Sequence, residues 1–355
     1  MVTRLGVAAA LVDGELVAGD VAIDDGMVTD IGLGAAGTGT AVAGFVDLQV
    51  NGYGGVDFTS GDLAGHRHAR EQLARSGVTS FLVTIPTAPL ERYADALATA
   101  SASIEEGAST AGARPLGVHL EGPFLSPARA GAHPPSCLRP PDRALVDRFL
   151  AAAPICLVTL APELPGALDV IAHLADHHVV VALGHSDATG AEAHAGFDAG
   201  ATAVTHLWNA QRPPTAREPG LTLTALARDD ISICLIADLV HVGAETVAVT
   251  ARAAGRRLVV VTDAVAPAGV APASAGARLA DGTLAGSTGP MDASLRNLVD
   301  VGIPLERAVD AMTAAPAALL GRADVGRLRP GGRADVVVLD DDLTIRDVLV
   351  GGRLT

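Results

Sequence analysis

Short apolar runs and longer segments of mixed polarity alternate along most of this chain. The runs at 45–50, 79–85, 116–120, 156–160, 179–183, 203–206, 231–236 and 258–262 are nearly continuous in Val, Ile, Leu and Ala. Such runs read as strands buried on both faces rather than as the alternating strands of a half-exposed sheet. Between them, 90–104, 141–152, 164–177, 188–199 and 244–254 carry helical patterns. Gly77, Gly200 and Gly255 stand where helices should stop, because glycine most easily takes the left-handed conformation beyond a helix end. Strands alternating with helices predict a parallel sheet with crossover helices. Eight of them predict a closed (β/α)8 barrel of the TIM type.

The chain ends follow another rule. Residues 1–43 and 325–355 contain short alternating runs, at 16–23, 334–339 and 348–354, broken by Asp13-Gly14, Asp25-Gly26 and Gly-Gly pairs that favour hairpin turns. They predict one small β-sandwich domain built from both termini, leaving 44–324 as the barrel. Residues 32–40 read as a flexible loop.

Composition narrows the chemistry. The chain has 355 residues, 49% of them apolar and only 3% aromatic, so Ala and Val must do most of the packing. A formal charge of -15 argues against binding nucleic acid or an anionic membrane surface. Every basic residue is Arg, which excludes a P-loop lysine, a Schiff-base lysine and a carbamylated metal-bridging lysine. Cys137, Cys156 and Cys234 form no C-x-x-C pair and read as small buried or inert side chains. No basic leader or long apolar run is present, so a soluble, cytoplasmic protein is expected.

In four of the apolar runs the polar groups stand at the carboxyl end: Glu121 after Gly117-Val-His, His185, His206 and Asp263. In a parallel barrel those ends share one face, where distant residues converge. Glu121, His185 and His206 offer one carboxylate and two imidazoles, a set suited to one divalent ion with an open position: Zn²⁺ first, with Fe²⁺, Co²⁺ or Mn²⁺ also accepted. Strand alternation puts His119 with Glu121, and Asp47 with Gln49 and Asn51, on one side each. If that side is the lumen, all five approach the site. Gln49 and Asn51 are poor ligands, so they are expected to contact a water held by the metal, or else to satisfy backbone groups beneath it. Asp263 reads as a proton acceptor and donor, or as a helix cap. Arg217 and His241 remain open between contacts for an anionic group and ordinary loop residues, and His133 between a catalytic group that polarises a substrate carbonyl and a solvent-facing loop residue.

Taken together, GFVDLQVNGYGGVDF, GVHLEGPFLSP, VTLAPE, ALGHSDA, THLWNA, AREPGL, VTDAVAPAG, GTLAGST and GRLRPGGRADVVVLD resemble the N-acetylglucosamine-6-phosphate deacetylases of the amidohydrolase superfamily. The resemblance covers nearly the whole chain. It implies a homodimeric β/α barrel that hydrolyses an acetamide of an amino-sugar 6-phosphate. It makes Glu121, His185 and His206 the metal ligands and Asp263 the acid/base. It places Ala132 and His133 on a substrate loop and makes Asn209, Ala210, Arg217 and His241 contacts of the sugar phosphate, Arg217 across a dimer interface. Leu284, Ala285 and Gly286 of GTLAGST fall at the site wall. Three positions depart from the pattern: Gln211 for a usual Met, Leu239 for a usual Gly, and a shortened stretch from 264 to 285. These leave open an N-acetylgalactosamine 6-phosphate or unphosphorylated N-acyl substrate. A scaffold without catalysis is the remaining alternative.

Overall fold

The computed structural model describes residues 2–107, 111–272 and 276–355. Eight parallel strands form one sheet in chain order: β1 (Phe45–Val50), β2 (Val78–Pro86), β3 (Arg114–Glu121), β4 (Ile155–Leu160), β5 (Val180–Leu183), β6 (Ala203–Val204), β7 (Ser232–Ile236) and β8 (Leu258–Val261). Every one falls on an expected apolar run. The helices Leu90–Gly107, Arg143–Ala152, Ala167–Asp176, Gly190–Asp198 and Ala244–Ala254 also appear, and Gly77, Gly200 and Gly255 all have positive φ. Five helices were not singled out by pattern: Leu63–Arg75, Gly220–Ala227, Met291–Asp300, Leu305–Asp310 and Ala314–Leu319. The first is dominated by charged and histidine side chains, and the last two have only six residues each.

The seam between β1 and β8 is not a ladder. At the carboxyl end an isolated bridge joins Val50 to Ala264, and the Asn51 N–H donates to the Ala264 carbonyl at 2.7 Å. At the amino end the segment before the last barrel helix is wedged in. Val46 N–H donates to Met312 O and Val260 N–H to Ala311 O, both at 2.8 Å. Midway, the buried carboxylate of Asp47 accepts from Gln49 N–H and Thr262 N–H, both at 3.2 Å, and from the Thr262 hydroxyl. One side chain therefore registers the end of β1 against the end of β8, and the candidate site lies directly beyond it.

The termini form two sheets. A six-stranded sheet runs Arg353–Leu354, Ile345–Val350, Val336–Leu339, Thr40–Ala43, Ala9–Val12, Glu15–Ala18; a three-stranded one runs Thr3–Arg4, Asp20–Asp24, Met27–Leu33. Asp13-Gly14 and Asp25-Gly26 are two-residue hairpin turns with positive φ at both positions. The expected single run at 16–23 is two strands in different sheets. Gly19, at φ +116°, breaks it, with its α-carbon so close to the Leu33 carbonyl that a β-carbon would not fit. Val7, Ala10, Val21, Ile23, Val28, Ala41, Val336 and Val338 pack between the sheets. Among the described residues no helix is long and apolar enough to cross a membrane.

Candidate active site

His185, His206 and Asp263 each stand two residues beyond the last ladder residue of their strand, and each has left-handed backbone, at φ +47°, +27° and +53°. That conformation costs a non-glycine residue about 1–2 kcal/mol, and such residues cluster at functional sites. Here it turns three side chains away from the strand direction and inward, toward Glu121 at the end of β3.

The ligand atoms form a nearly equilateral triangle. His206 Nε2 is 3.0 Å and His185 Nε2 3.2 Å from Glu121 Oε1, and the two nitrogens are 3.1 Å apart. Three mutual hydrogen bonds cannot hold such a triangle, because one N–H cannot point at two corners 60° apart. A divalent ion about 2.0–2.1 Å from each corner fits it, since tetrahedral ligands at that radius lie about 3.3 Å from one another. The His185 Nδ1–H donates to the Arg129 carbonyl at 3.0 Å, which leaves the Nε2 lone pair free for a metal. All three side chains are buried. Burial pushes the Glu121 carboxyl up, but His185 and His206 hold it well below the usual carboxylate range.

Asp263 is tied to the same unit. Gln49 Nε2 donates both to Glu121 Oε1 at 2.9 Å and to Asp263 Oδ1 at 3.1 Å, and Asn51 Nδ2 donates to Asp263 Oδ1 at 2.8 Å. The two amides thus spend their donors on the carboxylates, while Asn51 Oδ1 is buried with no protein partner. Burial, then the charge of Glu121, push the Asp263 carboxyl up to about 6. His133 is buried against His185, edge to face at 4.4 Å. Its Nδ1 accepts the Thr87 N–H at 3.2 Å, so its own proton resides on Nε2. Burial, and then the neighbouring His185, lower it to about 3 and keep it neutral. His241 is aimed by Asp238, whose Oδ2 lies 2.8 Å from Nδ1 and also accepts the Ser287 hydroxyl at 2.8 Å.

These groups open into one cavity of about 530 Å³. Asn51, Glu121, Ala132, His133, His185, His206, Asn209, Ala210, His241, Asp263, Leu284, Ala285 and Gly286 line it. Gly286, at φ +126°, lets the strand-like wall approach Val265 and the Asp263 carbonyl more closely than any β-carbon would allow. Arg217 is exposed and lies outside this cavity. Of the shortened segment, residues 273–275 lie outside the described residues; its far half returns as a small hairpin, with Leu279 N–H donating to Thr283 O.

Two residues grouped with the site by strand alternation are a layer too deep. His119 is bonded to Leu48 O and the Thr159 hydroxyl, and Asp47 is consumed by the seam; same-side placement does not fix depth along the barrel. Gln211 is turned away, donating to Thr205 O and accepting from the Thr222 hydroxyl, so its departure does not touch the cavity wall. Thr87, Asp238 and the Arg129 carbonyl went unseen by sequence, although Asp238 stands three residues before His241. Their roles depend on which loop meets which.

Comparison with known proteins agrees with this geometry. The Amidohydrolase family model matches residues 40–355. The chain is 36% identical over 332 residues to N-acetylgalactosamine-6-phosphate deacetylase of Escherichia coli O157:H7, covering 87% of this chain and 86% of that one. It is 32% identical over 356 residues to N-acetylglucosamine-6-phosphate deacetylase of Bacillus subtilis, covering 92% and 90%. An aspartate-to-alanine variant of N-acetyl-D-glucosamine-6-phosphate deacetylase from Mycobacterium smegmatis, in complex with N-acetyl-D-glucosamine-6-phosphate, superposes with a TM-score of 0.93 at 34% identity over 99% of both chains. The chain belongs to the amidohydrolase family and, within it, to the N-acetylhexosamine-6-phosphate deacetylases.

Proposed function

We propose that this protein hydrolyses the acetamide of N-acetylglucosamine 6-phosphate, giving acetate and glucosamine 6-phosphate. The observation that carries the reading is Gln49 bridging Glu121 and Asp263, which couples a metal-ligand triangle to a proton-transfer group at the mouth of one cavity. Glu121, His185 and His206 hold the ion, which we take to be Zn²⁺. When bound, it polarises a carbonyl and lowers the pKa of water to about 7.

Asp263 takes a proton from the attacking water and passes it to the departing nitrogen. Its raised proton affinity suits a group that must both accept and release a proton near neutrality. Gln49 and Asn51 hold its carboxylate still, and the free Asn51 Oδ1 is left to accept from that water or from the substrate N–H. His133 presents its Nε2–H to the carbonyl oxygen, where one good donor is worth about 3 kcal/mol in the transition state. Asn209, Ala210 and His241 bind the sugar phosphate. The cavity wall carries Asp57, Glu121 and Asp263 but, among the described residues, no arginine. A dianion therefore needs a cation from elsewhere, and we assign it to Arg217 of a second copy in a homodimer. On this reading 1–43 and 325–355 form a separate β-sandwich domain and the barrel carries the chemistry.

A second reading, N-acetylgalactosamine 6-phosphate as substrate, is raised by the 36% identity to the Escherichia coli protein, although relatives named for the N-acetylglucosamine substrate reach 37%. Acetate release from both epimers decides between them. The mechanism is tested by Asp263→Asn, which should retain the metal and lose about 10²–10⁴-fold in kcat; near-normal turnover would end the assignment.

A further inference from the structure

Outside the cavity, four consecutive strand-to-helix loops meet around one residue. Asp187 follows His185 in the loop after β5. Its Oδ1 accepts from Arg129 Nε at 2.8 Å and forms an ion pair with Arg129 Nη2, also at 2.8 Å; Arg129 lies in the loop after β3. Its Oδ2 accepts from Nη2 of Arg212 at 2.8 Å, and its carbonyl from Arg212 Nε at 2.7 Å; Arg212 lies in the loop after β6. From the loop after β4, Glu163 accepts the Asp187 N–H at 2.6 Å and the Ser186 hydroxyl at 2.7 Å.

The two arginine-bearing loops make adjoining parts of the cavity, Gly131 lying next to Ala210. Gly131, Ala132 and His133 come from one, and Asn209 and Ala210 from the other. Backbone contacts tie both to the loop after β5, with Ser126 N–H donating to His185 O at 2.9 Å, Ser186 N–H to Ala210 O at 3.1 Å and Arg212 N–H to Ser186 O at 3.0 Å. Beside these backbone ties, the Asp187 carboxylate pairs with an arginine from each loop and so restrains their spacing through side chains. A carboxylate has two oxygens for two guanidinium groups, whereas an amide has one.

We propose that Asp187 is a positioning residue that sets the distance between the His133 loop and the Asn209–Ala210 loop, and through it the fit of the hexosamine phosphate. The proposal rests on the deacetylase reading. An isolated surface ion pair would be worth little; here the pairs restrain two loops whose misplacement by about 1 Å can cost about 100-fold in a reaction. Asp187, Arg129 and Arg212 have side chains 30%, 31% and 33% exposed, so an arginine left unpaired can turn to water and the fold survives.

The test is steady-state kinetics of metal-loaded enzyme on N-acetylglucosamine 6-phosphate, with metal content and thermal midpoint measured on each sample. For Asp187→Asn and Asp187→Ala, KM should rise about tenfold or more through the displaced Asn209–Ala210 loop, and kcat should fall with it through the displaced His133 loop. Metal content and thermal midpoint should match the wild type. Arg129→Gln and Arg212→Gln should each raise KM, and their combination should do no worse than Asp187→Ala. Unchanged KM in the Asp187 variants, or a rise that only tracks lost metal, would overturn the proposal. A wild-type enzyme inactive on both hexosamine phosphates would instead overturn the deacetylase reading, and this inference with it.

Discussion

His133 carries its role in its tautomer. The Thr87 N–H occupies Nδ1, so the ring can only donate from Nε2, and its burial keeps it neutral at any working pH. His133→Ala should therefore lower kcat by about 10²–10³-fold with metal content unchanged; a loss confined to KM would show a binding role only. Leu239 is a different kind of residue. It stands at φ +61° and is 37% exposed, so its left-handed backbone is offset by only partial apolar burial. Relief of the left-handed backbone should match the packing lost and the freedom gained by the unfolded chain, so Leu239→Gly should leave the midpoint in chemical unfolding about unchanged. A lower midpoint would mean that Leu239 packs against something essential. Both residues were visible in the sequence as types, His133 as a loop histidine and Leu239 as a departure from glycine. Their backbone angles and partners were not, because each is set by a loop from elsewhere in the chain.

At the scale of elements, the helix Leu63–Arg75 buries His66 completely, its ring 4.6 Å from that of Phe58. Burial lowers the imidazole from 6.5 to about 4. The folded state thus prefers the neutral ring. Its contribution is fully present above pH 6.5 and drains away as pH falls toward 4, by about 3 kcal/mol in all. The thermal midpoint of His66→Leu should fall less than that of the wild type between pH 6.5 and 4; parallel curves would exclude His66 as a source of acid sensitivity. The strands were readable because apolar runs buried on both faces have little alternative in water. The helix Leu63–Arg75 was not, since its apolar stripe of Ala69, Leu73 and Ala74 is thin and its buried face includes His66 and Arg70.

At the scale of the whole molecule, no arginine among the described residues lines the cavity, and the proposed phosphate contact from Arg217 of a second copy can be tested directly. Arg217→Ala should raise KM steeply for the 6-phosphate substrate and leave an unphosphorylated N-acetyl hexosamine nearly unaffected. Sedimentation should find a dimer in both proteins. Equal effects on both substrates would remove Arg217 from phosphate recognition.

The sequence by itself determined the alternation of buried strands and helices, the hairpin turns at Asp13-Gly14 and Asp25-Gly26, and the identity of the groups at the strand ends. Those follow from local physics: burial pattern, backbone freedom and the chemistry of each side chain. Tertiary structure alone decided the depth at which each inward residue stops. It brought Glu121, His185 and His206 together while holding His119 and Asp47 below them. It also decided which donor each carboxylate receives. Those outcomes are contacts between segments up to 215 residues apart, made possible by closing the barrel at a seam that no local pattern encodes.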